Sequence, residues 1–137
     1  MKSNPWLVLS SLCFIGPSIT CYLTDNTALS GMYVLVTTVS STYHATKHPT
    51  LLYLDYTTAQ IAHFYTVLTI YKGGWASMPY YLIWFIYTVY TYYYGYVYNT
   101  LIWNPDLDAA TSWHMLMHFS SSLTTCYTVY ATYKNIR

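Results

Sequence analysis

Ser40-Ser41-Thr42-Tyr43-His44-Ala45-Thr46-Lys47-His48-Pro49-Thr50-Leu51-Leu52-Tyr53-Leu54-Asp55-Tyr56 reads as the end of one apolar segment, a tight turn, and the start of a second. Lys47-His48-Pro49-Thr50 forms the turn, and Thr50 is placed to cap the helix that follows. Two helices joined by so short a turn lie side by side. The turn therefore brings Ser40 and His44, at the end of the first, close to Asp55, one turn into the second.

The surrounding chain is unusual for a water-soluble domain. Its 137 residues suffice for one domain. Hydrophobic residues make up 55% and charged residues 7%, against roughly 25% charged in ordinary globular proteins. So few charges cannot cover a water-facing surface of this size. The 19 tyrosines fit a bilayer, where rings sit in the apolar region and hydroxyls reach the interface. Serine and threonine are tolerated in spanning helices because their hydroxyls bond back to backbone carbonyls. A net charge of +1 offers no basic field for nucleic acid. Cys13, Cys21 and Cys126 lie in apolar segments without a Cys-x-x-Cys pair. They read as buried small hydrophobes, not as a disulfide framework or a thiolate metal site.

Five apolar segments follow from the breakers, at about residues 5–23, 28–45, 51–71, 78–103 and 108–133. The first starts after Lys2 and resembles a signal peptide in position. Its long apolar body, and the lack of a clean cleavage pattern before Thr24-Asp25-Asn26, favour a retained helix with a kink at Gly16-Pro17. Asn26 or Thr27 is a plausible cap for the second. Lys72-Gly73-Gly74 closes the third, and Asn104-Pro105-Asp106 breaks the fourth. Asp106 or Asp108 starts the fifth, where an acidic group suits the positive end of the helix dipole. Segments of about 20 residues match the length a helix needs to span a bilayer. Strands are the competing reading, since Tyr87-Thr88-Val89-Tyr90-Thr91-Tyr92 alternates. A membrane barrel, however, needs strands of about 10 residues with regular polar turns, and the apolar runs here are twice that length. The expected fold is an all-α membrane protein: five transmembrane helices in one bundle, with the N- and C-termini on opposite sides.

Alternating spans impose a test on the polar residues. Segment two ends on the side where the chain begins, and segments three and five start there. Ser40, His44, Asp55, His114 and His118 therefore all fall in the same half of the membrane, although they come from three helices. Ser40 and His44 are four residues apart, as are His114 and His118, so each pair shares a helix face. Two histidines at that spacing and a third from a neighbouring helix make a three-histidine metal site with a fourth position for water, and neutral imidazoles favour zinc. Asp55 is the only acidic residue inside any span, and a carboxylate there is costly enough to mark a functional interior. His48, in the turn, reads as interfacial. His63, two turns beyond Asp55, reads as a packing or cavity residue.

The motifs resemble a known family. Ser-x-x-x-His closing one span, an Asp eleven residues later and His-x-x-x-His in the last span are similar to the CREST superfamily of membrane metallohydrolases and receptors. That superfamily includes alkaline ceramidases, the adiponectin-receptor (PAQR) family and haemolysin-III-like proteins. Ser40-Ser41-Thr42-Tyr43-His44, then His48, then Leu54-Asp55-Tyr56 resembles the Ser-x-x-Phe-His…His…Leu-Asp-Tyr run of adiponectin receptors. Trp113-His114-Met115-Leu116-Met117-His118 resembles the superfamily's last-helix motif. The resemblance implies His44, His114 and His118 as zinc ligands, Asp55 as the residue that orients or deprotonates the zinc-held water, and Ser40 as a hydrogen-bonding partner at the metal. It covers roughly residues 28–133. The superfamily typically has seven spans, so this chain reads as a shortened member that lacks two between Asp55 and His114; an even number preserves the parity.

The expected activity is zinc-dependent hydrolysis of a lipid amide entering from the bilayer, ceramidase-like, with Asp55 as base and Ser40 or the metal stabilising the oxyanion. One alternative is a non-enzymatic PAQR-like receptor or structural membrane protein stabilised by zinc. A haem bundle is the other, disfavoured because His114 and His118 share one face. Lys2 and Lys47 lie on one side of the membrane and Lys72, Lys134 and Arg137 on the other, a slight lean to a cytoplasmic C-terminus.

Overall fold

A computed structural model of the protein describes residues 3–73 and 75–136. Lys2, Gly74 and Arg137, used above as a segment start, a helix stop and side markers, lie outside the described residues. Every regular element among the described residues is helical, and five helices carry the fold. Helix α1 is Pro5–Leu23, α2 Thr27–Thr46, α3 Pro49–Lys72, α4 residues 78–98 and α5 Leu107–Ile136.

The helix ends follow from their chemistry. Asn4 caps α1, its side-chain oxygen accepting from the Trp6 and Leu7 amides, with Pro5 at the first turn. Asn26 caps α2 by accepting from the Leu29 amide. Lys47 stops α2 in the left-handed conformation, φ 55°. The cap of α3 is His48 rather than Thr50: its Nδ1 accepts from the Thr50 amide at 3.3 Å, ahead of Pro49. Asp106 caps α5, its Oδ1 accepting from the Asp108 amide at 2.9 Å. Helix α4 ends earlier than its apolar run implies. It stops at Tyr98, where Asn99 turns left-handed (φ 51°), and Leu101–Trp103 forms a separate 3₁₀ turn. The break is tight at Gly95, where a β-carbon would lie 2.8 Å from the Thr100 carbonyl oxygen.

The kink expected at Gly16-Pro17 appears one turn upstream, as a 3₁₀ turn over Leu12–Phe14. Proline has no N–H to give the carbonyl four residues back, and that carbonyl is Cys13. The Ser122 hydroxyl on α5 donates to it at 2.7 Å. The irregularity thus becomes a bond between helices. A second irregularity lies in α4, where Tyr90–Tyr94 is a π-helical turn.

Helices α1 and α3 flank α2, both reach α5, and α4 leans on α5. Tyr33 on α2 is 2% exposed, and its hydroxyl lies 3.1 Å from both Thr66 on α3 and Thr125 on α5. Asn4 lies beside Thr111 at the start of α5, while Ser77 meets Thr132 near its end. The two chain ends are therefore at opposite ends of the bundle.

The distribution of polarity is inverted. Among the described residues, buried polar side chains, mostly serine and threonine, outnumber buried hydrophobic ones, sixteen to twelve when Pro17 is left aside, while large apolar side chains on every helix face outward. Many of the threonines donate to the carbonyl four residues back, as Thr37, Thr66 and Thr91 do. Helix α1, with mean hydropathy 1.6, is the one helix among the described residues long and apolar enough by composition to cross a membrane. Serines and threonines, and in α4 the tyrosines, lower the others.

Candidate metal centre and its cavity

His44, His114 and His118 converge. One ring nitrogen from each lies within 4.8 Å of the other two, and the ring centroids are 4.7 to 5.5 Å apart. His44 stands at the last turn of α2, and the other pair project one helical turn apart from α5. Tetrahedral zinc with about 2.0–2.1 Å bonds holds its nitrogens roughly 3.3 Å apart, so modest ring rotations close the set.

The donor chemistry fits a divalent ion. His44 Nε2 is buried and has no hydrogen-bond partner among the described residues, an unmet polar atom that a ligand would satisfy. The Ser10 hydroxyl on α1 lies 2.9 Å from His118 Nδ1 and 3.1 Å from the Leu7 carbonyl; when its hydrogen goes to Leu7 it accepts from His118 Nδ1–H, and the Nε2 lone pair is then free. Phe14 packs edge-on against the His118 ring at 5.2 Å.

Lys47 is the discordant neighbour. Its Nζ lies 3.0 Å from His44 Nδ1. Burial pushes this ammonium below its ordinary range, with the Asp55 charge opposing. A His44 that gives Nε2 to a metal carries its proton on Nδ1, and two donors then face each other. Metal binding at Nε2 thus requires Lys47 to turn away or to hold its amine neutral.

Ser40, 1% exposed, stands one turn before His44. Its hydroxyl is 3.1 Å from that of Ser11 and also interacts with the Asp55 carboxylate. Ser40, Asp55, His114 and His118 all line one cavity of about 410 Å³. The remaining wall is largely apolar: Phe14, Val36, Met117 and Ser121 contribute from α1, α2 and α5, and most of it comes from two antiparallel helix faces. Positions 55, 56, 59, 60 and 63 of α3 oppose 84, 85, 88, 89 and 92 of α4. Asp55 is thus level with Tyr92, and His63 with Trp84. The Tyr56 and Tyr92 rings meet at 6.2 Å near the metal end, and their hydroxyls interact.

All five residues singled out in the sequence meet here, and His63 is a cavity residue. His48 is exposed and caps α3. Sequence reading missed Asn4, Ser10, Ser11, Lys47, Tyr56 and Tyr92. Asn4 bonds both the His44 carbonyl, through its amide, and Thr111. The serine and tyrosine positions carry no signal in a chain so rich in both. Lys47, three residues from His44 across a helix end, was findable from spacing.

No protein-family model, curated protein or solved structure matches this chain.

Proposed function

We propose that this chain is an intramembrane zinc-dependent hydrolase of lipid amides, ceramidase-like, and a shortened relative of the CREST superfamily its motifs resemble. The observation that carries the reading is the convergence of three histidines, two of which line one end of a largely apolar cavity together with Asp55 and Ser40. A structural zinc site needs closed coordination and no cavity. The inverted burial pattern supports the bilayer as solvent, with outward apolar side chains facing lipid and hydroxyls satisfied inside.

A bound zinc ion lowers the pKa of a water ligand from 15.7 to about 7 and polarises a carbonyl. The protein supplies the rest. Asp55 accepts the proton from the attacking water and returns it to the leaving amine, giving a fatty acid and a free amine. Ser40 has one hydroxyl hydrogen, given to Ser11 or Asp55 at rest and available to the oxyanion as it forms. Ser10, by accepting from Nδ1–H, would hold His118 in the tautomer a metal requires. The faces of α3 and α4 take up the acyl chain and exclude water.

Purified protein is expected to hold about one zinc ion per chain, and to lose it when His44 or His118 becomes alanine. Wild type hydrolyses a labelled ceramide, and Asp55→Asn loses at least about 100-fold in kcat with zinc retained. Full zinc without turnover in wild type would return the chain to the receptor or structural alternative. Absence of zinc would defeat both.

A further inference from the structure

The cavity has a second polar station, far from the metal. His63 on α3 and Trp84 on α4 face each other there with ring centroids 4.7 Å apart. His63 Nδ1 and Trp84 Nε1 are both buried without a hydrogen-bond partner, and Trp84 is only 5% exposed. No hydrogen bond to the His63 ring occurs among the described residues. Gln60, one turn before, lines the same wall. A wall serving only to hold a hydrocarbon chain gains nothing from an imidazole and an indole N–H. Each unmet buried polar group costs stability that a Phe or Leu there would not.

We infer that this end of the cavity binds a hydrogen-bonding group carried on the ligand's chain, a hydroxyl foremost. The inference rests on the reading that the cavity holds the acyl part of a lipid whose carbonyl lies at the histidines. The spacing follows from the helix. Asp55 and His63 are eight residues apart on α3, about 12 Å along its axis. An extended carbon chain advances roughly 1.2 Å per bond, so the group stands about ten bonds from the carbonyl carbon. The terminal hydroxyl of hydroxydecanoate meets that requirement, and decanoate lacks only that oxygen. His63 accepts from or donates to the hydroxyl according to its tautomer once its ring turns toward the cavity, since Nδ1 and the Trp84 Nε1 beside it are closed off from that space.

Equilibrium binding of the two acids to zinc-loaded protein in detergent micelles tests this without turnover. The terminally hydroxylated acid is expected to bind about tenfold more tightly, one hydrogen bond's worth. In His63→Phe that preference falls to unity while decanoate affinity stays within about twofold; His63→Gln, which keeps a donor and an acceptor, retains most of it. Equal binding of the two acids by wild type, a preference undiminished in His63→Phe, or no binding of either acid overturns the inference. Failure of ceramide hydrolysis alone would defeat the hydrolase reading and leave the ratio of affinities standing.

Discussion

At the scale of single residues, the site depends on hydroxyls the sequence does not advertise. His44, Asp55, His114 and His118 stand out because histidines and carboxylates are scarce among apolar residues, and their four-residue and eleven-residue spacings survive into three dimensions. Ser10 does not stand out, yet its hydroxyl lies 2.9 Å from the ring of His118 in the histidine cluster. Ser10→Ala is expected to weaken zinc binding by about 10- to 100-fold, the usual effect of losing a partner behind a ligating histidine. Ser11→Ala, one residue along, reaches Ser40 instead and should leave zinc affinity unchanged. Zinc competition against a chromogenic chelator separates the two. Equal loss in both variants would mean that α1 contributes only bulk packing. The Ser10–His118 contact was hidden because it joins residues 108 positions apart through a side chain that elsewhere in these helices bonds its own backbone.

Elements were legible where a chemically marked residue ends them, and blurred where the apolar run continues. Asn26 and Asp106 were found as caps because their side-chain oxygens suit that place. The end of α4 was misread by five residues. Leu101-Ile102-Trp103 continues the hydrophobic run, but Asn99 has already turned the chain. Asparagine at a left-handed position was the available signal. The π turn at Tyr90–Tyr94 left no trace in the side-chain pattern, since it changes the backbone repeat without changing composition. The break after α4 depends on Gly95, because an added β-carbon would press on the Thr100 carbonyl oxygen and on the Trp103 ring at 3.2 Å. Gly95→Ala gains about 1 kcal/mol of helix propensity but forces backbone apart, at a cost of about 1–3 kcal/mol. The expected net result is a Tm lower by a few degrees in micelles with zinc content unchanged. A raised Tm would mean that the α4 break yields without cost.

For the whole molecule, parity could be argued from the sequence, and the cavity could not. Five alternating helices place the polar residues at one end whatever the details of packing, which is why the site was within reach of a reading by segments. Whether a bundle of five helices encloses a space depends on how far α4 stands from α3. No periodicity reports that distance. The structure holds the two together at one end by Tyr56 and Tyr92, and at the other by Ile70 against Tyr81 and Trp84. The cavity lies between these clamps. Ala59 is the smallest side chain on the α3 wall, one turn from Asp55 on one side and His63 on the other. Ala59→Phe adds a ring to this space on a helix that carries none of the three clustered histidines. On the proposed hydrolase reading, the variant is expected to lose at least about tenfold in kcat/KM for a long-chain amide, while a short-chain amide is hydrolysed nearly as before and zinc stays at wild-type content. If both amides slowed equally, the substitution would have disturbed the metal end. If neither slowed, the chain would lie elsewhere, along the outward-facing groove between α4 and α5 that Ile83, Tyr87 and Leu123 line. The comparison of chain lengths thus decides which of two apolar surfaces in this bundle serves the chemistry.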